Sequence, residues 1–156
     1  MQVKRTGNIE KFQKALDELT RKQIKVGFFE GAKYPDGTPY AYIAAIQEFG
    51  SGPIPPRPFM RPAQEQNAGK WEKGIAAGLK AALGGGISIA DALERVGMVA
   101  AGDVRKAIKA VTAPPLASAT IAARQRRLKG KKSASVKPLV DTGQMIQAVT
   151  SAVVDK

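Results

Sequence analysis

The sequence predicts an α+β fold, with a small, mostly antiparallel sheet packed against several α-helices. Three observations carry that expectation. Ile89, Leu93, Val96, Ala100, Val104, Ile108 and Val111 form an apolar stripe at helical spacing, predicting one long helix near 89–111. At 1.5 Å per residue such a helix would measure about 35 Å. Two short segments, "QIKVGFFE" and "AVTSAVV", read as strands near opposite ends of the chain. An N-terminal stretch places Ile9, Phe12, Leu16 and Leu19 on one helical face with charges between them. The length of 156 residues suits a single domain, 1–156, with a modest core.

In chain order, Asn8 is a suitable helix cap and Glu10 falls in the first turn, giving a helix to about Lys22. In the following strand Ile24, Val26 and Phe28 share one face, with Lys25 and Gly27 on the other. "GAKYPDGTPY" is turn material, and "AYIAAIQEFG" is a short helix closed by Gly50. "SGPIPPRPFMRPA" (51–63) holds five of the ten prolines. Proline removes donors and restricts the residue before it, so this segment is expected to be stiff and extended. Pro62 fits the first turn of a helix running through Trp71, a core candidate, to about Leu83. "GGG" (84–86) is read as a hinge, and Ser88 with Asp91 as a capping box for the long helix. Gly97, Ala100, Ala101 and Gly102 suggest close packing along it. "TAPPLASATIAARQRRLKG" reads as a proline turn followed by a basic helix capped by Ser118 or Thr120. A basic loop at 129–137, "KGKKSASVK", is expected to be flexible. A short capped helix and the terminal strand complete the chain.

Composition excludes several chemistries. There is no cysteine and no histidine, which removes disulfides, thiol nucleophiles, Cys/His zinc sites and His-based triads. No phosphate-binding loop, hydrolase elbow or internal repeat is present, and no cofactor or metal is expected. No apolar run approaches a membrane span and "MQVKRTGN" lacks a signal core, so a soluble cytoplasmic protein is expected. The net charge is +12, and Val104–Val140 contains ten basic residues and no acid. Arg124, Arg126, Arg127, Lys129, Lys131 and Lys132 are therefore candidates to face DNA or an acidic partner.

"KPLVDTGQM" carries the Asp-Thr-Gly of an aspartic protease, in which two carboxylates share a proton. Only 13 residues follow Gly143, too few for a flap and a bracing strand. The expected role of Asp141 or Thr142 is instead to cap the helix beginning near Gly143.

"AYIAAIQEFG", "IPPRPFMRPA", "APPLASATIAARQRR" and "KPLVDTGQMIQAV" follow an apolar strand in that order. This order resembles the neck or tail-completion proteins of tailed double-stranded DNA bacteriophages, over most of the chain from Val26 onward. The resemblance implies a non-enzymatic virion protein. It would form a homo-oligomeric ring, a hexamer by preference, at the head–tail junction. Its partners would be other copies of itself, the head-closure ring, the tail-terminator or tail-tube ring, and double-stranded DNA in the lumen. It would reside in the virion neck, and in the host cytoplasm during assembly. On this view residues 51–62 form an interface strap through Pro55, Arg57, Pro58, Phe59, Met60 and Arg61, with Phe59 and Met60 filling apolar pockets. The alternatives are a basic, sequence-independent nucleic-acid-binding module and, less favoured, a protease acting through Asp141-Thr142-Gly143.

Overall fold

A computed structural model describes residues 6–130 and 132–156, with side chains from Ile9 onward. The element order is α1 (Thr6–Arg21), β1 (Lys22–Gly27), α2 (Tyr40–Phe49), α3 (Met60–Leu83), α4 (Ile89–Ala110), α5 (Ser118–Arg127), α6 (Gln144–Ala148) and β2 (Thr150–Asp155). Among the described residues, six helices and a two-stranded antiparallel sheet make this an α+β fold with a small sheet. The chain divides into two compact units. The first gathers the chain up to Val26, Asn67–Ala101 and Ser151–Lys156; the second gathers Gly27–Gln66 and Gly102–Thr150.

In the first unit β1 pairs with β2, and Lys156 N donates to Arg21 O at 2.8 Å to continue the ladder by one rung. Ile24 and Val26 are half-buried while Lys25 between them is exposed, as alternation requires. The 89–111 stripe is the inner face of α4: Leu93, Val96, Ala100, Val104 and Ile108 are all buried. Small residues let neighbours approach it. A Cβ on Gly78 of α3 would sit 2.8 Å from Ala92 Cβ, and one on Gly97 would sit 3.0 Å from Ser151 Cβ. Gly102 has no such neighbour within 4 Å, so the expectation of close packing holds at Gly97 and not there.

The expected hinge is a hydrogen-bonded helix stop. Gly86 N donates to Ala81 O and Gly85 N to Ala82 O, with Gly85 at φ 79. This is the Schellman arrangement, which needs a left-handed residue at the position of Gly85. Ser88 Oγ then accepts from Asp91 N at 3.0 Å and starts α4, as the capping pattern predicts. At the other caps the structure departs from expectation. Asn8 lies inside α1, and α5 begins after Ala117 with no side-chain cap bond. The terminal strand starts at Thr150, because Ala148 completes α6. Trp71 is half-buried, lining a groove rather than the core.

The second unit buries Ala44, Phe59, Ala63, Leu139, Met145, Ile146 and Val149 together with Val104 and Ile108. Phe28 stands edge-on to Phe59, ring centroids 6.3 Å apart at 89°.

Candidate subunit interface

Two arginine-rich knots in the second unit decide which of the candidate residues are presented outward. The first is built around Glu48, the lone charge of α2. A helix begins with N–H groups that have no intrahelical acceptor. At the start of α3, Phe59 N and Met60 N donate to Glu48 Oε2 at 2.7 and 2.9 Å, and Arg61 N donates to Oε1 at 3.2 Å. Pro62 has no N–H, and Ala63 N returns to Phe59 O at 3.1 Å, so every donor of the first turn is satisfied. Arg61 Nε adds a 3.0 Å bond to Glu48 Oε1. Burial pushes the Glu48 carboxyl up, but the three backbone N–H groups and Arg61 outweigh it and hold the group below its ordinary value. The buried anion also lies at the positive end of α3.

Arg57 fixes the same segment from the other side. Its Nε donates to Pro114 O at 2.8 Å, Nη2 to Pro115 O at 3.0 Å and Nη1 to Gln47 Oε1 at 3.3 Å. Its own backbone N–H donates to Gln47 O at 2.6 Å.

The expected strap is therefore corrected at its centre. Arg57 and Phe59 do not reach outward; they are 5% and 1% exposed within their own chain. Met60 is half-buried, while Pro55, Pro58 and Arg61 stay on the surface. The physical reason is the cap: bringing three consecutive N–H groups to Glu48 folds the segment down and carries Phe59 into the core. What this leaves exposed is different. Tyr42 and Phe49 lie seven residues apart on the outer face of α2, 60% and 68% exposed, with Ile54 nearby in sequence at 37%. The Arg61 guanidinium lies over the Phe49 ring, 5.3 Å from its centroid.

The second knot lies in the basic block. Arg124, expected to face DNA, is buried and donates to four carbonyl oxygens. Nη1 reaches those of Ser135, Lys137 and Val140, and Nη2 that of Pro138, at 2.9–3.2 Å. Arg127 Nη2 donates to both oxygens of Asp141, and Arg124 Nε stands 3.7 Å from Asp141 Oδ2. Asp141 is thus an ion-pair partner of α5 and not a cap. α6 is preceded by Gly143 at φ 82, with no side-chain cap bond. Thr142 Oγ1 comes only within 3.5 Å of Gln144 N. Arg124 and Arg127, three apart on one helical face, hold the Asp141 carboxylate at α5 rather than at the start of α6. Gln125 tethers the expected flexible loop, donating to Lys132 O and accepting from Ala134 N. Of the candidate cations Arg126, Lys129 and Lys132 are exposed, Arg127 is exposed but paired, and Lys131 lies outside the described residues.

Sequence reasoning missed Glu48, Gln47 and Gln125. A single carboxylate in an otherwise apolar helix, ahead of a proline segment, was the available signal for Glu48. Among the described residues no cluster of His, Cys, Asp or Glu could hold a metal ion, and no helix is long and apolar enough to cross a membrane. No protein-family model, curated protein or solved structure matches the chain.

Proposed function

We propose that this chain is a structural subunit of a ring at the head–tail junction of a tailed double-stranded DNA phage. The ring would join the tail to the head connector around the DNA channel. It would assemble in the host cytoplasm and remain in the virion neck. The order of the four sequence motifs supports this reading. The structural observation that carries it is the platform those motifs build. The Pro-x-Arg-Pro-Phe segment is pinned by Glu48 and Arg57, and beside it α2 presents Tyr42 and Phe49 outward with Arg61 over the Phe49 ring. Exposed aromatic and arginine side chains on a pre-ordered surface are the composition of an interface hot spot, and rigidity lowers the entropy lost on docking. Asp141, engaged by two arginines, has the surroundings of a structural carboxylate rather than of a proton-sharing pair. The exposed Arg126, Lys129 and Lys132 suit electrostatic, sequence-independent contact with DNA or an acidic neighbouring ring.

The test is Tyr42→Ala combined with Phe49→Ala, checked for folding by circular dichroism and then for complementation of a phage lacking the protein. Separate full heads and tails are expected. A folded variant that joins them at normal yield overturns the proposal. If the wild-type chain stays monomeric and binds random duplex with a steep salt dependence, it is a nucleic-acid-binding module instead.

A further inference from the structure

The first unit carries two apolar surfaces that match each other. One lies on α1, where Ile9, Phe12 and Leu16 are 57%, 47% and 42% exposed. Their spacing of three and four residues makes them one strip. Another side of the helix faces its own unit: Lys11, Lys14, Ala15 and Glu18 line a cleft shared with Leu83 and Ile87. The open side of the strip carries Glu10 and Asp17, which a rotation of about 100° per residue brings to the same edge. The second surface is a groove of about 330 Å³ between α3 and α4. Its walls include Trp71, Gly74, Ala77, Gly78, Val96 and Val99. Lys70 and Arg95 also line it, and among the described residues that line it there is no acid. Val99 is 50% exposed, so the groove has an apolar lip.

We infer that α1 of one copy docks in the α3–α4 groove of the next, with Ile9, Phe12 and Leu16 against Val99 and Trp71, and Glu10 and Asp17 facing Arg95. The occupant is a second copy because the strip supplies what the groove lacks: apolar volume edged with negative charge against apolar walls edged with positive charge. The two surfaces are different patches of one chain, so where each engages a different neighbour the contact is head-to-tail. Such a contact propagates around a ring when its rotation closes. The inference deepens the ring reading and rests on it for closure, since a head-to-tail contact by itself also permits filaments.

The chain has no cysteine, which gives a clean experiment. One full-length variant carries Phe12→Cys and another Val99→Cys; both positions are about half exposed, so folding is retained. Mixed under mild oxidation, they should give a covalent dimer of one of each. A chain carrying both substitutions should give a ladder of higher oligomers. In the charge arm, Arg95→Glu should weaken self-association measured by analytical ultracentrifugation by at least about ten-fold. Adding Glu10→Arg and Asp17→Arg should restore it. Closure of the double-cysteine chain on itself as a monomer would make its own α1 the occupant and overturn the inference. So would the absence of any cross-link, which would leave the strip to an unrelated partner. If Phe12→Asp and Arg95→Glu both leave self-association intact while the Tyr42 and Phe49 variant abolishes head–tail joining, this contact is refuted and the ring reading stands.

Discussion

Replacing Glu48 with Gln removes one charge and one acceptor from the start of α3 without changing side-chain size. The carboxylate accepts four hydrogen bonds in two pairs, from Phe59 N and Met60 N at Oε2 and from Arg61 N and Arg61 Nε at Oε1, while Arg61 Nη2 bonds the Glu48 backbone oxygen. A glutamine in the same rotamer keeps its oxygen toward one group and turns an NH₂ toward the other. Two donors then face a donor, and the bonds that remain lose their charge assistance. Hydrogen bonds to charged groups contribute about 1.5–3 kcal/mol each. Arg61 is largely exposed and recovers water, so its share is discounted, and a loss of about 3 kcal/mol is expected. For a chain of this size that lowers Tm by about 6–12 °C. The effect has a pH signature. Glu48 titrates lower in the folded chain than in the unfolded one. Its contribution is therefore complete above the unfolded value of about 4.3 and is lost as pH falls through the folded value. Urea unfolding followed by circular dichroism should show the full gap between wild type and Glu48→Gln at pH 7, closing below about pH 4. A variant within about 0.5 kcal/mol of wild type at pH 7, or a gap that persists unchanged at pH 3, would refute the role given to this carboxylate.

Three further outcomes follow from the packing and the ion pairs. Gly78→Val should destabilise by about 1–3 kcal/mol in thermal unfolding, since even a Cβ at that position lies 2.8 Å from Ala92 Cβ. Arg57→Lys should cost about 2–3 kcal/mol by the same measurement, because a single ammonium cannot span the Pro114 and Pro115 oxygens and Gln47 together. A double-mutant cycle between Arg127→Ala and Asp141→Asn should give a coupling of only roughly 0.2–1 kcal/mol, both side chains being more than a third exposed.

What the sequence made legible was local. The stripe along α4, the end of α3 near Leu83, the Ser88 cap and the Pro62 start of α3 each depend on residues within about one or two helical turns, whereas Gly84–Gly86 read as a hinge. The candidate site was legible only in outline, since its decisive contacts join residues 11–16 positions apart or farther, across segments without periodicity. Phe59, Arg57 and Arg124 look like outward-facing hooks when the segment holding them has no regular spacing to assign an inner face. Asp141 has the right chemistry for a cap and for an ion pair, and only the fold brings Arg127 close enough to choose.

Arg57 and Arg124 share a property that bears on how such a chain can drift. Nearly all the oxygens they engage belong to the main chain, at Pro114, Pro115, Ser135, Lys137, Pro138 and Val140; the side-chain exception among the close bonds is Gln47. Every amino acid supplies the same carbonyl. Substitutions around each arginine therefore leave its coordination intact so long as the backbone path is kept. The two guanidiniums themselves have no substitute with the same fork of donors. A fold held in this way can lose most of its recognisable sequence while retaining a few isolated arginines, a glutamate and the prolines that set the path between them.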